Sequence, residues 1–165
     1  MTQRRKWWVS WLDILMLAGA MAGCSGDGDH DEGPPPPPPP PACVFINEQE
    51  PNATALTAQF LGDLFVDECV AVAGSLVDPL DVDSYRVLLA ESLRFVVTVD
   101  HSPFVDFDIQ LFEAASGQLI ADCGSNVVPE TCAVPFSVGP QALAVDIVVT
   151  SVVGAGTYTL TLDAQ

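Results

Sequence analysis

Basic residues are scarce in this sequence. It contains five lysines and arginines against 22 aspartates and glutamates, for a formal net charge of −17. Three of the five, Arg4, Arg5 and Lys6, lie within the first ten residues. From residue 24 onward there is no lysine, and Arg86 and Arg94 stand against 21 acidic residues for a charge of −19. Such a surface repels nucleic acid and anionic lipid headgroups and attracts divalent cations, so the sequence excludes nucleic-acid binding.

The sequence also lacks the motifs of common enzymes. Gly-x-Ser-x-Gly, His-Glu-x-x-His and the phosphate-binding loop do not occur. Asp100, His101 and Ser102 are the residue types of a catalytic triad, but three consecutive residues cannot adopt its geometry. Ser102 also precedes Pro103 in a predicted turn between strands. We therefore expect that the protein is not an enzyme.

The first 23 residues have the pattern of a bacterial lipoprotein signal peptide. A cationic start is followed by a mostly apolar run and then by Met21-Ala22-Gly23-Cys24, although Asp13 interrupts the run and Met21 stands where leucine is commonest. The pattern predicts cleavage before Cys24, whose thiol takes lipid and anchors the chain in a membrane. Because Ser25 rather than aspartate follows, the predicted location is the outer membrane. The alternative is an ordinary secretory signal followed by a structural cysteine.

Residues 24–41 are predicted to be a disordered linker. Residues 25–33 are acidic and glycine-rich, and eight prolines occupy positions 34–41. Eight residues of polyproline II at about 3.1 Å each span roughly 25 Å and hold the rest of the chain away from the membrane. Asp27, Asp29 and Asp31 have the spacing of an EF-hand, but Glu32 and Pro38 stand where its glycine and glutamate belong, which excludes a calcium loop.

Residues 42–165 alternate between apolar and polar residues, as strands with one buried face do. Two further segments are apolar on both sides, which predicts strands in the centre of a sheet. Strands are predicted at residues 68–76, 82–89, 93–99, 105–111, 119–123, 131–138, 142–149 and 158–162. Pro135 places its strand at an edge or a bulge.

The segments between these strands are rich in glycine and proline, and none has the period of a long helix. Residues 54–60 are predicted as one short helical turn. Seven to nine strands separated by turns predict an all-β, two-sheet antiparallel sandwich of jelly-roll type, with a closed barrel as the alternative. The aromatic residues are expected largely on core faces, which leaves no exposed aromatic platform of the kind that binds sugars.

Four cysteines remain in the predicted domain, namely Cys43, Cys69, Cys123 and Cys132. An exported protein retains disulfides, and four cysteines allow three connectivities. Cys123 and Cys132 flank a short excursion between two predicted strands, which suits a bridge that closes a hairpin and leaves Cys43 to pair with Cys69. A zinc site would need histidines, and His101 is alone in this part of the chain.

Several short stretches occur in the order typical of one bacterial family. They are Glu48-Gln49-Glu50-Pro51-Asn52, Ala58-Gln59, Gly74-Ser75-Leu76, Asp81-Val82-Asp83-Ser84-Tyr85-Arg86-Val87, Phe107-Asp108-Ile109-Gln110-Leu111-Phe112 and Ala155-Gly156-Thr157-Tyr158-Thr159-Leu160. Residues 45–163 thereby resemble the bacterial pre-peptidase C-terminal domain, a β-sandwich usually found behind the catalytic domain of secreted peptidases. Each stretch alone is unspecific, and their order carries the resemblance.

The resemblance implies a calcium site, because relatives of this family use acids of the same two stretches to hold calcium and fix the first stretch to the sandwich. The implied ligands are Glu48, Glu50, Asn52, Asp81 and Asp83. Ala53 departs from the family pattern, in which an acidic or amide residue often follows the asparagine. The alternative is that Glu48 and Glu50 are solvated linker acids and that Asp81 and Asp83 cap a strand.

Taken together, these patterns predict a lipid-anchored, non-enzymatic binding or accessory module of the cell envelope. Its expected partners are the membrane, through the lipid, and an extracellular protein or polysaccharide. The alternative function is a passive structural stalk in a larger envelope or secreted-peptidase assembly.

Overall fold

The computed structural model describes residues 42–165, and in this range the chain consists of strands and loops without a helix. No helix in these residues is long and apolar enough to cross a membrane. The predicted signal peptide, Cys24 and the linker lie outside the described residues. The ten strands are β1 (Val44–Asn47), β2 (Gln59–Leu64), β3 (Cys69–Leu76), β4 (Val82–Leu89), β5 (Leu93–His101), β6 (Asp106–Glu113), β7 (Gln118–Cys123), β8 (Glu130–Phe136), β9 (Leu143–Val153) and β10 (Gly156–Ala164).

The strands form two five-stranded sheets. Sheet A has the order β1-β3-β10-β5-β8, and sheet B has the order β2-β4-β9-β6-β7. From β3 to β10 the strands alternate between the sheets, except for the β6–β7 hairpin in sheet B, as in a jelly roll whose two sheets cover each other's apolar faces. The predicted all-β sandwich of jelly-roll type is confirmed. The closed barrel is wrong, because no strand pairing in residues 42–165 joins the two sheets.

Both sheets are mixed, which corrects the prediction that they are antiparallel. β1 runs parallel to β3 and β2 runs parallel to β4, whereas every other pairing is antiparallel. Three of the four residues of β1 are exposed, and Gly62 interrupts β2 with a φ of 108° beside a shift in register. Alternation is too weak in these two short strands to predict them. Residues 54–60 contain a single hydrogen-bonded turn and the start of β2 instead of a helical turn.

Side chains from the inner faces of both sheets fill the interior. The alternation predicted for β5, β6 and β10 is observed, with the apolar residues buried and the intervening residues on the outer faces. β4 and β9, predicted as central from their apolar character, are neighbours inside sheet B. Tyr85, Phe95 and Phe107 are the largest fully buried side chains. Each fully buried side chain of this size contributes about 1.5–3 kcal/mol, so the alternating faces dominate the stability of the sandwich.

The prediction for Pro135 is confirmed, because β8 is the outer strand of sheet A. The expectation that aromatic residues lie largely on core faces is wrong for half of the eight phenylalanines. Phe45, Phe60, Phe65 and Phe104 are exposed. They fall in loops or in edge strands, where a single apolar residue has no opposite sheet to cover it.

The structure contains the two predicted disulfides, and one of them has an unexpected position. Cys43 bonds to Cys69 and joins the start of β1 to the start of β3, with the Cα atoms 4.4 Å apart. Cys123 bonds to Cys132 across a Cα separation of 5.5 Å. Because β7 is the outer strand of sheet B and β8 that of sheet A, this bond does not close a hairpin as predicted. It joins the two sheets along one side of the sandwich.

We expect the double substitution Cys123→Ala and Cys132→Ala to lower the free energy of unfolding by about 2–3 kcal/mol, since the bond closes a nine-residue separation. Urea unfolding measures this loss. Amide hydrogen exchange should accelerate in β7 and β8, because the edges of the two sheets are no longer held together. The matched control, Cys43→Ala with Cys69→Ala, should accelerate exchange in β1 instead, and unchanged exchange in β7 would contradict the assigned position.

Candidate functional site

The segment that joins β1 to β2 crosses from sheet A to sheet B at one end of the sandwich, and residues 48–58 are called the crossing segment below. The side chain of Gln59, at the start of β2, holds its first part. Its Nε2 donates to the carbonyl oxygen of Asn47 at 3.1 Å, and its Oε1 accepts from the backbone N–H of Gln49 at 2.8 Å. A buried amide thus satisfies the backbone where the chain leaves β1.

Backbone hydrogen bonds attach the crossing segment to both sheets. The N–H of Glu48 donates to the carbonyl oxygen of Ala73 in β3 at 3.0 Å, and the N–H of Ser84 in β4 donates to that of Asn52 at 2.9 Å. Arg86 pairs with the buried Asp146 through both oxygens of the carboxylate, and its Nη2 also donates to the carbonyl oxygen of Ala55 at 3.0 Å. The segment is therefore bonded along its length to the ends of both sheets.

Four side chains, Glu48, Glu50, Asn52 and Asp83, come together at this end and are called the acidic cluster. Carboxylate oxygens of its three acids lie within 4.8 Å of one another. Asn52 connects two of them, since its Nδ2 donates to Glu48 Oε1 at 3.0 Å and its backbone N–H donates to Glu50 Oε2 at 2.8 Å. The structure thus gathers four of the five residues that the resemblance implies.

Asp81, the fifth implied residue, is not part of the acidic cluster. Its Oδ2 accepts from the backbone N–H of Val77 at 2.7 Å, and its Oδ1 accepts from that of Val82 at 3.0 Å. The carboxylate closes the loop between β3 and β4, which corresponds to the alternative in which this acid caps a strand.

Glu48 is the most connected side chain of the cluster. Its Oε2 accepts from the backbone N–H of Ser75 in β3 at 2.8 Å, and its Oε1 accepts from the hydroxyl of Tyr85 in β4 at 2.7 Å as well as from Asn52. One carboxylate therefore bonds to a strand of each sheet and to the crossing segment. It is not a solvated linker acid.

Two buried tyrosines connect the carboxyl groups of Glu48 and Asp83. The hydroxyl oxygens of Tyr85 and Tyr158 lie 2.6 Å apart, and the Tyr158 hydroxyl contacts Asp83 Oδ2 at 2.5 Å. The chain from Glu48 to Asp83 has three oxygen-to-oxygen contacts, but the two hydroxyls supply only two protons. A proton on the Asp83 carboxyl completes the set, so the metal-free arrangement favours protonated Asp83.

The pKa values of the two acids shift in opposite directions. Burial raises the pKa of Asp83 to about 8, and the nearby charge of Glu48 adds to this effect. Burial also acts to raise the pKa of Glu48, but hydrogen bonds from Asp83, Tyr85 and other groups outweigh it and lower that pKa. Glu48 therefore carries the negative charge and Asp83 carries the proton near neutral pH.

Two oxygen atoms of the cluster are buried without a hydrogen-bond partner, Asn52 Oδ1 and Asp83 Oδ1. Both side chains are fully buried. A buried polar atom without a partner costs about 1–3 kcal/mol. Carboxylate and amide oxygens are the donors that calcium prefers, so the residues present fit a calcium ion.

Gly74 gives Tyr158 the space that this arrangement requires. The two residues are paired in the ladder between β3 and β10, and a Cβ atom added at Gly74 would lie 2.5 Å from Cζ of the Tyr158 ring. Sequence reasoning assigned no role to Gly74, Ser75, Tyr85 or Tyr158. All four belong to the ordered stretches that carry the resemblance, and that order was the available signal for their convergence.

His101 and Ser102 do not form a catalytic pair in the described residues. His101 Nδ1 lies 2.9 Å from the carbonyl oxygen of Ser102, and the imidazole packs against the ring of Phe107 with centroids 5.0 Å apart. In the described residues the imidazole makes no hydrogen bond to the Ser102 hydroxyl, which accepts from the backbone N–H of Phe104 instead.

Comparisons with known proteins address the fold. No protein-family model and no curated protein matches the chain. Among solved structures, it is similar to the pre-peptidase C-terminal domain of a collagenase from Bacillus anthracis, at 15% sequence identity and a TM-score of 0.51, over 66% of this chain and 96% of that one. The chain has the fold of a pre-peptidase C-terminal domain. The resemblance inferred from the sequence is confirmed at this level.

The chain is also similar to PliG from Aeromonas hydrophila, a periplasmic inhibitor of g-type lysozyme. The sequence identity is 13% and the TM-score is 0.46, over 74% of this chain and 97% of PliG.

We expect Gly74→Ala to displace the Tyr158 ring, break its contact with Asp83 and lower the free energy of unfolding by about 1–3 kcal/mol. Chemical denaturation measures the loss. Gly139→Ala is the matched control, because a Cβ atom there meets nothing within 4 Å, and its effect should stay within about 0.5 kcal/mol. Equal effects of the two substitutions would show that Tyr158 does not depend on Gly74.

Proposed function

We propose that this protein is a non-catalytic accessory and binding module of the bacterial cell envelope, stabilised by calcium and anchored by lipid on Cys24. The observation that carries the calcium part is the acidic cluster, whose fully buried Asn52 and Asp83 each keep one oxygen without a partner. The fold supports an accessory role, because the similar collagenase domain is a separate domain of a larger protein. Two disulfides are typical of proteins outside the cytoplasm and support the envelope location.

Calcium would be held by oxygens of Glu48, Glu50, Asn52 and Asp83. When bound, it supplies positive charge where carboxylates otherwise repel one another at an end of the sandwich that carries no free cation in residues 42–165. The ion would give Asn52 and Asp83 the partners that they lack. Its structural effect would be to fix the crossing segment, and with it β1 and β2, to the jelly roll.

We expect calcium to raise the melting temperature of residues 24–165 carrying Cys24→Ser, and EDTA to reverse the rise. At a calcium concentration 100 times the dissociation constant, the gain is about 2.7 kcal/mol. The gain should be larger at pH 8.5 than at pH 5.5. Because the pKa of Asp83 is raised in the folded state, its protonation stabilises the metal-free protein at low pH, and this stabilisation is lost as the pH rises toward about 8. Over the same range Asp83 loses the proton that competes with calcium.

Asp83→Asn should abolish most of the calcium effect, whereas Asp63→Asn, which makes the same change at an exposed position elsewhere, should preserve it. Differential scanning calorimetry with and without EDTA distinguishes the two variants. An unchanged melting temperature in EDTA would overturn the calcium proposal and leave the fold unaffected.

The anchor is a separate part of the proposal and depends on the Met21-Ala22-Gly23-Cys24 sequence. In a bacterial host with the lipoprotein pathway, metabolic labelling with palmitate should mark the protein, and fractionation should recover it with membranes. Cys24→Ser should abolish the label. Cys43→Ser is the control, because its thiol belongs to a disulfide and its loss should leave labelling intact. Palmitate label retained in the Cys24→Ser variant would contradict the assignment of Cys24 as the lipidated residue.

A binding role is favoured over a passive stalk by the surface beside the acidic cluster. A groove of about 700 Å³ is lined by Glu48, Gly74, Ser75 and Tyr158 together with Asp100 to Ser102. A groove and exposed apolar loops are features of surfaces that contact partners, here proposed to be an extracellular protein or a polysaccharide. A deletion that weakens the cell surface without abolishing any binding would favour the stalk instead.

A further inference from the structure

Apolar side chains are exposed at one end of the sandwich, in or directly before three loops. The loops connect β5 to β6, β7 to β8 and β9 to β10. Phe104 is 88% exposed, Val127 is 66% exposed, and Val152 and Val153 are 55% exposed each. Together with Val128, these residues are called the apolar tip. Such exposure of large apolar side chains in neighbouring loops marks an interaction surface more often than scattered single residues do.

The apolar tip is continuous across the loops. One cavity of about 210 Å³ is lined by residues of the β5–β6 and β7–β8 loops, including Phe104 and Val128, and by Val153 at the end of β9. The loops also touch at their bases, since a Cβ atom added at Gly154 would lie 3.0 Å from a methyl group of Val105. The surface therefore has a shaped depression with Phe104 at its rim.

Acidic residues surround the apolar tip. Asp106 lines the same cavity, and Asp106 and Asp108 both line an adjoining cavity of about 240 Å³. Burial raises the pKa of Asp108, and the negative charges of Asp106, Glu130 and Asp122 add to the effect.

Cations in the described residues lie elsewhere. Arg86 is paired with Asp146, and Arg94 stands at the start of β5, the strand whose other end leads to Phe104. In residues 42–165 these two arginines face 17 acidic residues. The apolar tip thus combines exposed apolar side chains with uncompensated negative charge.

We propose that the apolar tip docks a cationic protein partner, in which lysine or arginine side chains flank an exposed apolar residue. The proposal rests on the binding role proposed above and names its surface and the chemistry of its partner. Apolar contact with Phe104 would supply most of the affinity, and Asp106 and Asp108 would attract and orient the basic side chains.

The negative charge around the apolar tip argues against three other partners, namely a second copy of the chain, an anionic membrane and the chain's own acidic linker. Two copies of the chain would bring two acidic surrounds together, and an anionic membrane would be repelled in the same way. The chain's own residues 25–33 are acidic and contain no lysine or arginine. A partner with an apolar residue between basic side chains complements both the exposed apolar residues and the negative charge of the surface.

The test uses residues 24–165 with Cys24→Ser and a short fluorescent peptide in which lysine alternates with phenylalanine. Fluorescence anisotropy at low salt should show binding, and a lysine–serine peptide and a glutamate–phenylalanine peptide should each bind at least about tenfold more weakly. Phe104→Ser should weaken binding of the first peptide at least about tenfold. Phe45→Ser is the matched control, because Phe45 is 78% exposed on β1, and it should leave the affinity unchanged.

The double substitution Asp106→Asn and Asp108→Asn should weaken binding about tenfold at low salt and have little effect near 0.5 M salt, where surface charges are screened. The control pair Asp63→Asn and Asp163→Asn removes the same amount of negative charge from other strands. Thermal melting confirms that each variant is folded.

Absence of binding by the lysine–phenylalanine peptide, or equal losses in the Phe104 and Phe45 variants, would overturn the proposal. Binding that survives every tip substitution would place the partner elsewhere and leave the wider binding role standing. Phe104-dependent dimerisation in sedimentation, or Phe104-dependent binding to phosphatidylcholine vesicles, would replace the cationic partner with a second copy or a lipid surface. Loss of palmitate label or of the calcium effect bears only on the earlier proposals.

Discussion

The structure depends on how the half-buried carboxyl group of Glu48 and the fully buried one of Asp83 share one end of the sandwich. Charges of the same sign cannot both be buried there without a proton or a cation between them. The hydroxyls of Tyr85 and Tyr158 join the two acids in a chain of three hydrogen bonds, in which Asp83 carries the additional proton. Because Glu48 also bonds to the crossing segment and to both sheets, the neutralisation of this pair decides whether β1 and β2 can extend the jelly roll.

Most of the fold could be predicted from the sequence because burial in a sandwich has a period of two. The inner faces of β5, β6 and β10 show that period without interruption. β4 and β9 are apolar on both sides, and this predicts their place in the centre of a sheet. The parallel strands β1 and β2 could not be predicted in this way, since edge strands bury too few side chains to alternate. Alternation also carries no information on which sheet a strand joins, so the pairing of Cys123 with Cys132 could be predicted but its position between the sheets could not.

The residue types of the acidic cluster could be predicted from the sequence, but the contacts among these residues could not. The Glu-x-Glu-Pro-Asn stretch and Asp83 are separated by some thirty residues in the sequence, and only the resemblance to a known family indicated that they meet. The roles of Tyr158 and Gly74 follow from the register between β10 and β3, which the sequence does not reveal. Asp81 differs from Asp83 by two positions, yet the loop between β3 and β4 uses both of its oxygens for its own backbone.

The strand order also bears on when the molecule can assemble. β10, the last of the ten strands, lies between β3 and β5, and β9 lies between β4 and β6. Each sheet therefore lacks an interior strand until nearly all of residues 42–165 have been synthesised, and pairing over such long sequence distances is slow. A nascent chain that still lacks β9 and β10 can complete neither sheet. That delay is compatible with the export proposed above, because a chain whose sheets are incomplete can pass a translocation channel unfolded.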